Sequence, residues 1–284
     1  PMAKNLIKAG YQLKLYDLFP AKASELVTEG AELMSSPAEV AKASGAIITM
    51  VNDAPNLREV LFGETGCIRG LKEGQVYIDA STISPTEVRR CSAKIAEYGA
   101  YMLDAPVSGG EQGAIDGTLT IMIGGDEAVF EACQPVLSAL GTTITYMGAS
   151  GSGQVTKLGN QIMFGLNTLG VCEGLMLATR EGVNLEKYLK AVMPGSGSSA
   201  ILQSLGPYLA KRVFPGSFPV RLMRKDFRLI GETMAEENIS LPGAALLLQL
   251  YNVVAAVDQN KSFESLIVAL EKLNGFEVNN CKKN

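Results

Sequence analysis

Histidine is absent from this chain of 284 residues. Histidine is the side chain that most often transfers protons near neutral pH, and it is also a common metal ligand. A site that carries out acid–base chemistry must therefore use lysine, a carboxylate, tyrosine or cysteine. The missing histidine makes the lysines of this chain the first place to look for a catalytic group.

Cysteine is sparse and irregularly spaced. The five cysteines lie at positions 67, 91, 133, 172 and 281, and no two of them form a C-x-x-C pair. An odd number of scattered cysteines is typical of reduced thiols and not of a disulfide or zinc framework. The pattern predicts a cytoplasmic protein without a metal site.

The chain also lacks a strong charge of one sign and long apolar runs. Its 25 basic and 29 acidic residues give a net charge of −4, which argues against a nucleic-acid or anionic-membrane partner. We find no uninterrupted apolar stretch of membrane-spanning length and no signal-peptide layout. With 47% hydrophobic and 19% charged residues, the chain is expected to fold around a real core.

The first half of the chain alternates short apolar segments with amphipathic ones. Strands are predicted at residues 12–16, 46–50, 76–79, 101–103, 118–123 and 144–146. Helices are predicted at residues 2–8, 21–29, 37–42, 56–61, 85–98 and 127–140. This alternation predicts a mostly parallel sheet with helices on both faces, and the closely spaced later strands predict an antiparallel or mixed extension.

After residue 150 the pattern becomes helical. Helices are predicted at residues 154–181, 185–192, 200–211, 222–237, 243–258 and 262–273. The first of these is unusually long and contains four glycines, which are expected to allow close helix packing. The sequence therefore predicts an α/β domain at residues 1–149 and an all-α domain at residues 150–284.

The most informative segment is the stretch from Gly151 to Asn160, where a glycine turn leads into the long apolar helix. Lys157 and Asn160 are three residues apart, so they share a face of that helix. In a chain without histidine, a lysine at a glycine-opened helix start is the leading candidate for proton transfer.

Two further candidates follow predicted strands. Asp17 closes the first strand, where an acidic residue of a dinucleotide fold accepts hydrogen bonds from the adenosine ribose and repels a 2′-phosphate; an ordinary turn residue is the alternative. Thr82, at the tip of the strand that ends at Asp79, is placed to face a ligand. Ser84 precedes Pro85 and is predicted to cap the next helix.

Two polar segments allow both a functional and a structural interpretation. In residues 104–110, a hydroxyl at Ser108 and open backbone at Gly109 and Gly110 would suit a carboxylate, and a plain turn is the alternative. In residues 224–226, three consecutive charged residues form a motif that is more often a solvated helix face.

Taken in order, these segments resemble the β-hydroxyacid dehydrogenase family, the group of 3-hydroxyisobutyrate dehydrogenases and tartronate semialdehyde (2-hydroxy-3-oxopropionate) reductases. The resemblance runs across nearly the whole chain, at residues 2–6, 48–56, 104–110, 117–120, 151–160 and 225–226. It implies a Rossmann-type domain followed by an all-α domain. It also implies an NAD-dependent enzyme, with NADP as the alternative cofactor, that acts on a small β-hydroxy acid as a homodimer or homotetramer.

The resemblance assigns roles to individual residues. Lys157 becomes the proton donor or acceptor, while Asn160, or Gln161 in its place, orients the substrate. The resemblance implies that the substrate carboxylate is bound by Ser108, Gly109 and Gly110. The cofactor-binding residues it implies are Asp17, Met50, Val51, Asn56, Thr82 and Lys225.

The start of the chain departs from the family pattern. Family members open with a strand and a G-x-G-x-x-G loop that binds the pyrophosphate, and this chain begins about where that loop ends. We therefore expect a native protein that extends upstream of Pro1 by about a dozen residues. The alternatives are a related imine reductase, which usually has another residue at the lysine position, and a catalytically inactive binding protein that truly lacks the loop.

Overall fold

The structure is a computed structural model that describes residues 1–216 and 218–279. The chain forms two compact units, one from Pro1 to Lys157 and one from Leu158 onward. The predicted boundary at residue 149 falls just before the long helix Ser152–Arg180, and the division between the two units falls within that helix, after Lys157. Cys281 lies outside the described residues.

The first unit alternates strands and helices along the chain. Its strands are β1 (Lys14–Leu15), β2 (Glu32–Leu33), β3 (Ala46–Thr49), β4 (Val76–Asp79), β5 (Tyr101–Asp104), β6 (Val107–Ser108), β7 (Leu119–Gly124) and β8 (Gly141–Gly148). Its helices are α1 (Met2–Lys8), α2 (Ser24–Thr28), α3 (Pro37–Ala43), α4 (Ala54–Phe62), α5 (Pro85–Ala96), α6 (Gly110–Asp116) and α7 (Glu127–Ser138). Short 3-10 helices span Pro20–Ala23 and Cys67–Arg69.

The strands form a mixed sheet with a parallel half. Strands β3, β4 and β5 pair in parallel, β7 runs antiparallel to β5 and β6, and β8 pairs in parallel with β7. Strands β1 and β2 pair in parallel as a separate two-stranded sheet. This arrangement confirms the predicted α/β class and the mixed extension.

Helices cover both faces of the sheet. On β4, Tyr77 belongs to an apolar cluster that includes Ile95 of α5, while the adjacent Ile78 belongs to a cluster that includes Phe130 and Leu137 of α7. Neighbouring residues of a strand point to opposite faces, so two separate cores follow from one apolar strand.

Polar caps start several of these helices where the sequence changes from turn to apolar periodicity. Ser84 accepts a hydrogen bond from the backbone N–H of Glu87, as predicted, and Pro85 occupies the first helical position. The same arrangement starts α3 at Ser36, and Asp53 caps α4 with proline at the second helical position. The cap on α4 matters for the site, because it fixes the first turn of the helix that follows β3.

The second unit is helical, as predicted. Its helices are α8 (Ser152–Arg180), whose first residues belong to the first unit, α9 (Leu185–Val192), α10 (Ala200–Leu209), α11 (Val220–Glu237), α12 (Pro242–Val257) and α13 (Leu266–Asn274), with a 3-10 turn at Phe263–Ser265. A single apolar cluster, including Cys172, Leu185, Phe227 and Tyr251, forms its core.

Helix α8 bears on the expectation that the chain has no membrane-spanning segment. By length and composition alone its 29 residues, with a window of mean hydropathy 1.4, are long and apolar enough to cross a membrane. Half of that window is buried inside the protein, and the core helix of a globular fold meets the same criterion. The length and composition of α8 are therefore only weak evidence for a membrane-spanning helix.

The four glycines that the sequence predicts to serve helix packing fall into two kinds. A methyl group added at Gly165 would lie 2.6 Å from a ring carbon of Phe227, and one added at Gly174 would lie 2.5 Å from the hydroxyl of Tyr188. At Gly159 and Gly170 nothing lies within 4 Å of that position. Close packing within the described chain therefore explains Gly165 and Gly174, and at Gly159 and Gly170 the packing role stays a prediction.

Candidate active site

The carboxyl ends of β3 and β4 carry three of the predicted cofactor-binding residues. Met50 and Val51 follow β3 directly, and Thr82 lies three residues beyond the end of β4. Met50 is 60% exposed, whereas Val51 and Thr82 are half-buried. Because neighbouring parallel strands end at the same edge of a sheet, these residues share the edge at which open α/β sheets bind ligands.

A buried carboxylate ties these two strand ends together. Asp79 Oδ1 accepts hydrogen bonds from the hydroxyls of Thr49 and Ser81, at 2.9 and 2.7 Å. Ser81 Oγ in turn accepts the backbone N–H of Val51 at 2.8 Å. Burial raises the pKa of the Asp79 carboxyl to about 6, against the opposing effect of its hydrogen bonds. The backbone at Val51 is thus held by groups from the neighbouring strand.

Two further predicted cofactor residues lie on the surface of the first unit. Asp17 is exposed after β1, and its Oδ1 accepts the backbone N–H of Phe19 at 2.7 Å. Asn56 is exposed in the first turn of α4, where its N–H donates to the capping carboxylate of Asp53 at 3.0 Å. The carboxylate of Asp17 is therefore open to solvent at a strand end, as a ribose-binding residue must be.

The start of α8 is held by Asp104, the last residue of β5. Asp104 is fully buried, and its two carboxylate oxygens accept the backbone N–H groups of Gly151 and Gln154 at 2.8 and 2.9 Å. Burial raises the pKa of this carboxyl, and the hydrogen bonds from the backbone of the helix start oppose that rise. A methyl group at Gly153 would lie 2.3 Å from the carbonyl oxygen of Met122, so only glycine allows this approach.

Lys157 lies one turn further along α8 and is the last residue of the first unit. It is buried, with only 8% of its surface exposed. Lysine is almost never so buried without a specific environment for its amine. The structure thus places the predicted proton-transfer residue on a helix start that is anchored to the sheet.

The predicted carboxylate cradle forms a strand end followed by a short helix. Ser108 is half-buried in β6 and pairs in register with Thr120 of β7. Gly109 and Gly110 are exposed and adopt φ angles of 132° and 64°, which side-chain-bearing residues rarely adopt. The backbone there favours glycine at both positions, and helix α6 begins at Gly110, where the sequence predicted a carboxylate cradle or a plain turn.

The remaining predicted residues lie in the second unit and form a connected polar chain. Asn160 donates to Gln161 Oε1 at 3.1 Å, and Gln161 donates to Asp226 Oδ2 at 2.7 Å. Lys225 forms an ion pair with the other oxygen of Asp226 at 3.0 Å. Within residues 224–226 only Arg224 is exposed, so a solvated helix face does not describe this motif.

Sequence reasoning missed Asp79, Ser81, Asp104 and Gln154 as parts of the site. The available signal was weak: strands β4 and β5 both end in aspartate after an apolar run, at positions that pair in register. Among the described residues no group of three or more histidine, cysteine, aspartate or glutamate side chains is placed to hold a metal ion. The four cysteines in the described part of the chain are free and buried.

Comparison with known proteins identifies the class. A family model described as the NAD binding domain of 6-phosphogluconate dehydrogenase matches residues 1–148. A second model, described as NAD-binding of NADP-dependent 3-hydroxyisobutyrate dehydrogenase, matches residues 151–270. The protein is therefore an NAD- or NADP-dependent oxidoreductase.

Individual relatives narrow the class to a family. The chain is 41% identical over 272 residues to 2-hydroxy-3-oxopropionate reductase of Escherichia coli (strain K12), covering 95% of this chain and 93% of that protein. It is 34% identical over 268 residues to mitochondrial 3-hydroxyisobutyrate dehydrogenase of Mus musculus, covering 92% and 80%. The solved structure of Mycobacterium tuberculosis 3-hydroxyisobutyrate dehydrogenase with L-serine has a TM-score of 0.88 at 28% identity, covering 95% and 94%.

The chain belongs to the β-hydroxyacid dehydrogenase family, whose members are oxidoreductases acting on CH–OH groups. The resemblance drawn from the sequence motifs is confirmed.

Proposed function

We propose that this protein interconverts a small β-hydroxy carboxylic acid and its oxo acid or semialdehyde, of the 2-hydroxy-3-oxopropionate or 3-hydroxyisobutyrate type. The observation that carries the proposal is the buried Lys157 on a helix start anchored by Asp104. The similarity to 2-hydroxy-3-oxopropionate reductase over 95% of the chain supports the choice of substrate class.

The residues at the strand ends fit an NAD-type cofactor. The apolar Met50 and the half-buried Val51 and Thr82 offer a surface suited to a flat ring and its ribose at a sheet edge. Asp17 supplies an exposed carboxylate for ribose hydroxyls and would repel a 2′-phosphate, which favours NAD over NADP. When bound, the nicotinamide supplies the acceptor or donor of hydride.

Lys157 performs the proton transfer of the proposed reaction. In the oxidative direction its neutral amine accepts the hydroxyl proton as the carbon–oxygen double bond forms and hydride leaves the same carbon. In reduction its ammonium group returns a proton to the carbonyl oxygen. The ammonium also stabilises negative charge developing on that oxygen, so the step requires no further acid.

The other assigned residues bind and orient. Ser108, with the backbone of Gly109 and Gly110, is proposed to hold the substrate carboxylate, because a hydroxyl and open backbone N–H groups are suitable donors. Asn160, or Gln161 in its place, is proposed to orient the substrate. Lys225 is proposed to lie near cofactor and substrate.

A spectrophotometric screen tests the proposal. Short hydroxy acids are offered with NAD or NADP, and the semialdehydes with the reduced cofactors, to wild type, Lys157→Ala and the control Lys190→Ala, which changes an exposed lysine of α9. We expect Lys157→Ala to lower turnover about 100-fold or more with cofactor binding largely kept, and Lys190→Ala to match wild type. Near-normal turnover of Lys157→Ala would remove the lysine from the mechanism.

The cytoplasmic location and the homodimeric or homotetrameric assembly expected from the sequence stay predictions. The free, buried thiols are compatible with a reducing compartment.

A further inference from the structure

Gln154 has the most specific set of contacts among the buried polar side chains that carry no proposed role. It is 0% exposed and lies in the first turn of α8. Its side-chain NH₂ group donates to the carbonyl of Ser81 at 2.7 Å, and its side-chain oxygen accepts the backbone N–H of Ile83 at 3.2 Å. One amide thus brackets the backbone on either side of Thr82.

The same residue is also held through its main chain. Its backbone N–H donates to the carboxylate of Asp104, so the helix start cannot shift without breaking that bond. Lys157 follows three residues later, on the neighbouring turn and the same side of the helix. Gln154 therefore touches the loop after β4 through its side chain and fixes the helix of Lys157 through its backbone.

We propose that Gln154 is a positioning residue, which sets the helix that carries Lys157 against the loop that carries Thr82. The inference rests on the proposed function, because it concerns the relative placement of the proton-transfer lysine and a cofactor-binding segment. An amide is suited to this task, since it satisfies one backbone donor and one backbone acceptor together at a fully buried position.

The chain offers a matched control in Gln75. This glutamine is 6% exposed, immediately precedes β4, and lies at the opposite end of that strand from Asp79. Its NH₂ group donates to the carbonyls of Ala41 and Ser44 at 2.8 and 2.5 Å. Gln75→Met and Gln154→Met both replace a buried, backbone-bridging amide by an apolar side chain of similar length, so both should lower stability.

The test is steady-state kinetics of folded wild type, Gln154→Met and Gln75→Met, with folded enzyme quantified by circular dichroism and gel filtration. We expect kcat of Gln154→Met to fall about tenfold or more, with an increased solvent isotope effect on kcat as proton transfer becomes slower. The KM for cofactor should change less than kcat, and Gln75→Met should keep kcat within about twofold of wild type.

Three results would overturn the inference. The first is a kcat of Gln154→Met within about twofold of wild type, and the second is an equal loss of kcat in Gln75→Met. If Gln154→Met yields no folded enzyme, Gln154→Glu, which keeps the side-chain length and an oxygen for Ile83, is judged by the same thresholds. The third result that would overturn the inference is a wild-type enzyme that is inactive with every substrate and cofactor tested. That result would overturn the proposed function as well, whereas the first two results would leave the proposed function unaffected.

Discussion

Substituting alanine for Gly165 should destabilise the protein through a clash that the structure specifies. The new methyl group would lie 2.6 Å from a ring carbon of Phe227 and 3.0 Å from a methyl group of Leu247. Phe227 and Leu247 are 1% and 0% exposed, and the Phe227 ring packs against that of Tyr251 at a centroid distance of 5.7 Å. The ring therefore has little room to yield.

The magnitude follows from a comparison within one helix. Replacing glycine by alanine inside a helix stabilises by about 0.5–1 kcal/mol, and this gain applies equally to Gly165 and Gly170. At Gly170 the added methyl group meets nothing within 4 Å, so the full gain is expected there. Overpacking a core costs about 1–3 kcal/mol, so Gly165→Ala should be less stable than Gly170→Ala by that amount.

Urea unfolding followed by far-ultraviolet circular dichroism measures this difference. Gly170→Ala should unfold at a higher urea concentration than wild type, and Gly165→Ala at a lower concentration than Gly170→Ala. Equal stability of the two variants would refute the reasoning, because helix propensity alone would then account for both. The clash assigned to Phe227 would have to be absent.

Two further predictions concern carboxylates of the first unit. Asp17→Ser should lower the kcat/KM preference for NAD over NADP about tenfold or more, because the repulsion of the 2′-phosphate is removed; a wild type that prefers NADP would contradict the role of Asp17. Burial raises the pKa of Asp79 from 3.8 to about 6, so the folded protein holds this proton more tightly than the unfolded chain. The protonated Asp79 carboxyl therefore contributes roughly 3 kcal/mol to the free energy of unfolding below pH about 4, and this contribution is lost as the pH rises through about 6. Asp79→Asn keeps the oxygen that accepts hydrogen bonds from Thr49 and Ser81, but it does not titrate. The unfolding free energy of the variant minus that of wild type should therefore increase by roughly 3 kcal/mol between pH about 4 and pH about 6. A difference that stays constant with pH in denaturant titrations would contradict the assignment.

The sequence predicted elements well where caps and apolar runs coincide. The predicted strand at residues 76–79 and helix at residues 185–192 have the bounds seen in the structure. The latter is capped by Asn184, whose side chain accepts the N–H of Lys187. By contrast, the two-residue strands β2 and β6 were missed, because two residues show no alternation and their pairing depends on neighbours distant in sequence.

The residues of the candidate site that lie in recognisable motifs were predictable, and the buried side chains that hold those motifs in place were not. The absence of histidine and the glycine turn at Gly151 indicated Lys157, and the strand-end position indicated Asp17. Nothing in the sequence indicated that Gln154 would reach a loop more than 70 residues earlier, at separations of 71 and 73 residues. Hydrogen-bond partners so distant in sequence are determined by tertiary packing. From the sequence alone, a glutamine at a helix start is expected to be an ordinary solvent-exposed residue.

The anchoring of α8 by Asp104 has a consequence for how the protein folds. The backbone groups that complete the helix start find their acceptor 47 and 50 residues earlier in the chain. Contacts of such separation form only after loop closure and strand assembly, whereas the body of a long helix forms from local contacts. We therefore expect Lys157 to acquire its defined surroundings late in folding, and chains in which β5 is not yet assembled would carry the helix without the anchored start on which the proposed acid–base role depends.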